Sequence, residues 1–132
     1  MASIHKETVV NAPAAQVWDA VRDVGAIHRR LVPGFVTDCR LEGDARVVTF
    51  GNGLTARELI VDLDDAKRRL VWSARSERLT HHNASLQVFE QDGAARLVWT
   101  ADLLPHEMGP AIAGMIEQGL AAMKRTLEAA AP

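Results

Sequence analysis

From about His106 to Ala130, the apolar residues Met108, Ile112, Met115, Ile116, Leu120, Met123 and Leu127 recur at steps of three and four. This is the period of one long amphipathic α-helix with a single apolar stripe to bury. No other stretch carries the pattern over such a length, so whatever the preceding residues form must cover that stripe.

The preceding residues read mainly as short alternating runs between turn signals. Phe35–Leu41 ends at Glu42-Gly43-Asp44, and Ala45–Phe50 at Gly51-Asn52-Gly53. Ala56–Leu63 ends at Asp64-Asp65, and Arg68–Ala74 follows. His81–Phe89 runs to Asp92-Gly93, a hairpin signal, and Arg96–Leu104 closes at Pro105. Ahead of the series, a strand-like run, Ser3–Val10, leads into two short helices. Asn11 is placed to cap the first and Pro13 to occupy its first turn, with Val17, Trp18 and Val21 on adjacent faces and a break at Gly25. The second, Ile27–Leu31, ends at Pro33-Gly34. The order predicts an α+β fold: a curved antiparallel sheet of six to seven strands wrapped around the long C-terminal helix.

With 132 residues, the chain suits one domain, residues 1–132. A net charge of −2 makes no electrostatic case for nucleic acid or an anionic membrane. Arg29-Arg30 and Lys67-Arg68-Arg69 read as solvated charges. The single cysteine, Cys39, excludes an internal disulfide and a Cys-rich zinc module, and its alternating surroundings read as a buried, inert thiol. No charged-then-apolar leader and no apolar run of membrane-spanning length occurs, so the expectation is a cytoplasmic protein without membrane insertion.

The order of elements, with NAPAAQVWDAVRD at residues 11–23, resembles the helix-grip fold of the START, birch-pollen-allergen and polyketide-cyclase (SRPBCC) superfamily, whose opening signature reads A-P-x-x-x-V-W-x-x-x-x-D. A narrower, distant similarity to the plant abscisic-acid receptors runs through Phe35–Asp44, Asn52–Ala56, Leu63–Asp65 and Glu77–Leu79. That resemblance implies a cavity between sheet and helix. It also implies a gate loop at Asn52, Gly53 and Leu54 and a latch loop at Glu77, Arg78 and Leu79. The receptors' gate proline is here Thr55, their latch histidine Glu77, and their hormone-anchoring lysine Thr37. Without that cation a carboxylate ligand loses its charge-assisted bond, so abscisic acid is not the expected ligand.

His81 and His82 are adjacent in a strand-like run, and successive strand side chains point to opposite faces. They cannot both ligate one metal, and no other motif completes a shell, so no metal and no cofactor is expected. His82 shares its face with Ala84, Leu86 and Val88 and is expected to look into the cavity, where the receptors carry a ligand-facing tyrosine. The alternative is a core histidine bonded to backbone. Glu58 matches a cavity glutamate of the receptors, and an inward carboxyl there would serve as general acid or hydrogen-bond anchor. The alternative is a solvated Glu58 paired with Arg57 or Arg75, because Leu59, Val61 and Leu63 form a competing apolar face. Trp72 and Trp99 either fill the core or line a pocket. Ile112 and Met115 offer an apolar wall, and Gly119 either enlarges the pocket or lets the helix approach a strand. The expected ligand-binding set is Thr37, Phe50, Leu54, Glu58, Trp72, His82, Trp99, Ile112, Met115 and Gly119. Glu58 and His82 are the candidate catalytic pair.

Three functions fit. The first is binding of a small, largely hydrophobic molecule, as carrier or sensor. The second is a polyketide cyclase or dehydratase type of enzyme using Glu58 and His82 as acid and base. The third is a ligand-gated interaction module. The strand Ser3–Val10, as a sheet edge, could pair with a second copy to form a homodimer.

Overall fold

A computed structural model describes residues 2–131. Seven strands form one antiparallel sheet: β1 (Ala2–Val10), β2 (Val36–Glu42), β3 (Ala45–Phe50), β4 (Thr55–Asp64), β5 (Arg69–Arg75), β6 (His81–Gln91) and β7 (Ala94–Leu104). Their order across the sheet is β1-β7-β6-β5-β4-β3-β2. Strands β2 to β7 are therefore a meander, and β1 is added at the far edge beside β7. Two short helices, α1 (Ala14–Arg22) and α2 (Ile27–Arg30), follow β1, and the long helix α3 (Gly109–Ala130) ends the fold. This is the helix-grip arrangement that the element order predicts.

The turn residues act where the sequence places them. Asp92 and Gly93 both have positive φ, 51° and 82°, which a two-residue β6–β7 hairpin requires. Helix α3 starts three residues later than its apolar period. His106–Met108 form a 3₁₀ turn, and Pro110 then occupies the first turn of α3, where its missing N–H costs no bond.

Asn11 does not cap α1. Pro13 is the capping residue, and the Asn11 backbone N–H instead donates to Glu128 Oε2 at 2.8 Å. Gln16 Nε2 donates to the Ala130 carbonyl at 3.1 Å, so α1 and the end of α3 are tied together. Trp18 Nε1 and Arg22 Nε both donate to Asp65 Oδ1 at 2.8 Å and fasten α1 to the β4–β5 turn. The β1 edge is partly closed by α3: Lys124 Nζ donates to the Val9 carbonyl at 2.6 Å, and Lys6 pairs with Glu117 at 2.9 Å. Charged cover of this kind blunts a sheet edge against pairing.

Two β-bulges decide which residues face the helix. In β2 the register steps from Val36↔Phe50 to Asp38↔Thr49, leaving Thr37 unpaired. In β4 it steps from Ile60↔Trp72 to Asp62↔Val71, leaving Val61 unpaired. An extra residue inverts the alternation beyond it. Glu58 and Ile60 therefore share the inner face with Leu63, while Val61 is 53% exposed. The competing apolar face of β4 does not exist as one face.

Candidate functional site

The sheet curls around the N-terminal half of α3 without filling the space between them. A cavity of about 320 Å³ remains, near the lower end of the range for small-molecule sites, roughly 300–1,000 Å³. Its helix wall is Met108, Ala111, Ile112, Met115 and Ile116, with Met123 farther along. Its sheet wall includes Val48, Phe50, Ala56, Leu70, Trp72, Leu86 and Trp99, and Ile27, Leu31 and Phe35 close the side nearest α2.

The aromatic rings wall the space rather than consume it. Trp72 and Trp99 meet edge to face at 5.7 Å and 61°, and Phe35 and Phe50 at 5.5 Å and 72°. Gly119 on α3 is what lets Trp99 lie flush. A Cβ at that position would stand 2.7 Å from Trp99 Cζ3, so the ring would have to shift to admit one.

One polar row crosses the apolar wall. Arg46 on β3 pairs in register with Glu58 on β4, and Glu58 with Ala74 on β5. The ladder between β5 and β6 ends at Trp72↔Ala84. Beyond it the His82 imidazole takes the place of a backbone partner: the Ala74 N–H donates to His82 Nδ1 at 2.9 Å, and Ser73 Oγ donates to the His82 carbonyl at 2.6 Å. Arg46, Glu58 and His82 are all buried, at 4%, 7% and 9% exposure, and all three line the cavity.

Arg46 Nε donates to Glu58 Oε1 at 2.7 Å, and Arg46 Nη1 to the Val24 carbonyl at 3.3 Å. The guanidinium also lies 5.6 Å from the centroid of Trp72, close enough for cation–π attraction. Because Nδ1 of His82 accepts a hydrogen bond, the neutral ring carries its proton on Nε2. Burial holds the His82 pKa below its ordinary value of 6.5, with the Glu58 charge opposing and His81 assisting. Cys39 is buried nearby and free. Desolvation pushes its thiol up against the opposing pull of Arg46, which favours the unreactive protonated form.

Of the residues singled out in the sequence, Phe50, Leu54, Glu58, Trp72, His82, Trp99, Ile112 and Met115 line this cavity. Thr37 and Gly119 lie off its wall. Thr37 is turned out by the β2 bulge, exposed, and its Oγ1 donates to the Thr49 carbonyl at 3.3 Å. Gly119 is buried behind Trp99, so it serves close approach rather than pocket volume. His81 is exposed on the opposite face from His82. Glu58 is not an isolated acid, nor is it paired with Arg57 or Arg75; its partner is Arg46.

Sequence reasoning passed over Arg46. The signal was its two-residue spacing with Val48 and Phe50, which puts it on the inner face of β3. Asn52 and Leu54 from the β3–β4 turn and Ser76, Arg78 and Leu79 from the β5–β6 connection stand at the rim. Asn52 Oδ1 accepts from the Leu54 N–H at 3.0 Å, and Gly53 holds φ +87°. Leu54 is 43% exposed, and Gly53 and Glu77 are exposed as well.

A family model described as polyketide cyclase / dehydrase and lipid transport matches residues 1–128. No curated protein matches the sequence. Among solved structures, a protein from Bacillus thuringiensis superposes with a TM-score of 0.86 at 18% identity, covering 96% of this chain and 98% of that one. The Bacillus cereus protein XoxI gives 0.85 at 18% identity, covering 96% of each chain. A Thermobifida fusca protein gives 0.76 at 31% identity, covering 98% of this chain and 91% of its own. The two Bacillus structures show likeness of fold alone.

Proposed function

The chain belongs to the polyketide cyclase / dehydrase and lipid transport family, and from this premise we propose that it holds one small, largely hydrophobic molecule between sheet and helix, as a carrier or sensor. The observation that carries this reading is the apolar cavity of about 320 Å³ crossed by one short polar row. An apolar cavity of about 150 Å³ holds a benzene ring, so one about twice that size suits a molecule of roughly ten to fifteen heavy atoms. That suits a monoterpene-sized isoprenoid, a medium acyl chain or a small aromatic polyketide, and is too small for a diacyl lipid.

Burial of such a molecule removes apolar surface from water at about 25 cal/mol per Å². Phe50, Leu54, Trp72, Trp99, Ile112 and Met115 would supply the contacts, and Glu58 and His82 the orientation. The turn Asn52–Leu54 and the segment Glu77–Leu79 would act as the gate. Native mass spectrometry of gently purified protein, repeated after denaturation, tests the reading. A bound mass of roughly ten to fifteen heavy atoms, lost on denaturation, is the expected result. A clean apo mass that no hydrophobic probe changes would overturn it.

The enzyme reading is favoured by one observation, the presence of Glu58 and His82 in the same row of the cavity wall. His82 Nε2–H would donate to a ligand carbonyl and the Glu58 carboxylate would accept a proton from an adjacent carbon or hydroxyl. Conversion of a polyketone substrate that Glu58→Gln abolishes, with binding retained, would establish it over the carrier.

A further inference from the structure

Among the described residues, Arg46 bonds only through Nε and Nη1, and Glu58 only through Oε1. His82 bonds through Nδ1 alone among its ring nitrogens. Among the described residues, the only fully buried side-chain polar atom without a partner is His28 Nδ1. Arg46 Nη2, Glu58 Oε2 and His82 Nε2 are therefore not sealed off, and all three residues line the cavity. The cavity presents two kinds of donor and one acceptor on a single row, and the charges behind them already cancel: Arg46 is held by Glu58 at 2.7 Å and His82 is neutral.

That arrangement discriminates by charge. A ligand carboxylate would bring a net negative charge into an apolar cavity and set it beside the carboxylate of Glu58, and an unpaired buried charge is among the costliest things a site can hold. A neutral group with a carbonyl acceptor and an N–H or O–H donor meets no such penalty. Its carbonyl takes hydrogen bonds from His82 Nε2–H or Arg46 Nη2, and its donor gives one to Glu58 Oε2.

The geometry points to a ligand whose polar end is a neutral carbonyl carrying an adjacent N–H or O–H, such as an amide, hydroxyketone or enolised diketone, with free carboxylic acids selected against by the Arg46–Glu58 pair. This rests on the reading of the cavity as a hydrophobic binding site and assigns the chemistry of its polar end.

Titration of wild-type protein at pH 8 with octanamide, octanoate and p-cymene, followed by tryptophan fluorescence and calorimetry, tests it. Octanamide and octanoate share chain length and heavy-atom count and differ in charge; p-cymene has no polar end. Octanamide is expected to bind about tenfold or more tighter than octanoate. The isosteric variant Glu58→Gln leaves Arg46 uncompensated and should reverse that preference. Binding of p-cymene with octanoate equal to or tighter than octanamide overturns the inference and leaves the cavity reading standing. Binding of none of the three overturns the cavity reading and the inference with it. A wild-type preference that survives unchanged in Glu58→Gln also overturns the inference, because the ion pair would then not be its source.

Discussion

The guanidinium of Arg46 and the carboxylate of Glu58 meet at 2.7 Å on the cavity wall, with side chains 5% and 10% exposed. Neighbouring strands bring them into register on the cavity wall. A buried pair of this kind is expensive to break and cheap to replace, because the cost lies in the partner left behind. Arg46→Met should therefore destabilise the protein by about 3–5 kcal/mol. The double variant Arg46→Met/Glu58→Leu should recover most of that loss. Urea unfolding of the three proteins checks this. A double variant no more stable than Arg46→Met would mean that the pair does not act as a unit.

His82 makes stability depend on pH. Its folded-state pKa lies below its ordinary value of 6.5, chiefly through burial. The unfolded chain therefore takes up a proton first as the pH falls. The contribution of the neutral, hydrogen-bonded ring is fully present above pH 6.5 and is lost as the pH drops through the depressed folded-state value. Protonation also turns Nδ1 from acceptor to donor and breaks the bond from the Ala74 N–H. Unfolding free energies at pH 8 and pH 5 should fall more steeply for the wild type than for His82→Gln, which cannot protonate. Parallel slopes would remove His82 from the acid response.

Gly119→Ala sets two effects against each other. Alanine favours helix over glycine by about 1 kcal/mol. Its Cβ would stand 2.7 Å from Trp99 Cζ3 and 3.4 Å from Phe35 Cε2. The atoms it meets are the outer ends of rings with open cavity beside them, so Trp99 can tilt into that space. Stability should change by less than about 1 kcal/mol, while affinity for any ligand filling the cavity drops. Calorimetric titration beside thermal melting reads both quantities. Unchanged affinity would show that Trp99 yields elsewhere.

Leu54, at the rim and 43% exposed, should act on kinetics rather than stability. Leu54→Ala removes little buried surface and should leave the melting temperature within a few degrees of wild type. Stopped-flow dissociation of a bound probe should accelerate several-fold if the β3–β4 turn gates the cavity. A dissociation rate equal to wild type would place the barrier to exit elsewhere.

The division between what could be read and what could not follows the range of the interactions. Hydrophobic period, turn residues and capping are properties of a few adjacent residues, and they show in the order of letters. The three- and four-residue steps from Met108 to Leu127 specify α3, and Asp92-Gly93 specifies its hairpin, whatever surrounds them. Parity put His82 and His81 on opposite faces, and the apolar neighbours Ala84, Leu86 and Val88 together with the receptor resemblance marked the His82 face as inward; the assignment holds because β6 runs unbroken from His81 to Gln91.

Where the alternation is interrupted, parity fails. Thr37 and Val61 are bulge residues, and a bulge is chosen by the curvature the whole sheet needs in order to close on α3. No local pattern announced it, and Thr37, expected on the wall through its match to the receptors' lysine position, lies off it. The role of Gly119 was left open for the same reason: whether a glycine makes room for a ligand or for a tryptophan depends on a strand residue distant in sequence.

By itself, then, the sequence determined the elements, their order and the faces of the regular strands, because each is set by backbone geometry repeating over a few residues, and that order together with the signature at residues 11–23 carried the resemblance to the helix-grip class. Only the tertiary structure decided that Glu58 meets Arg46, that His82 caps the end of the β5–β6 ladder, and that an open cavity remains between them. Those facts depend on strand register and on the space left when curved layers pack, and both are sums over contacts between residues far apart in the chain.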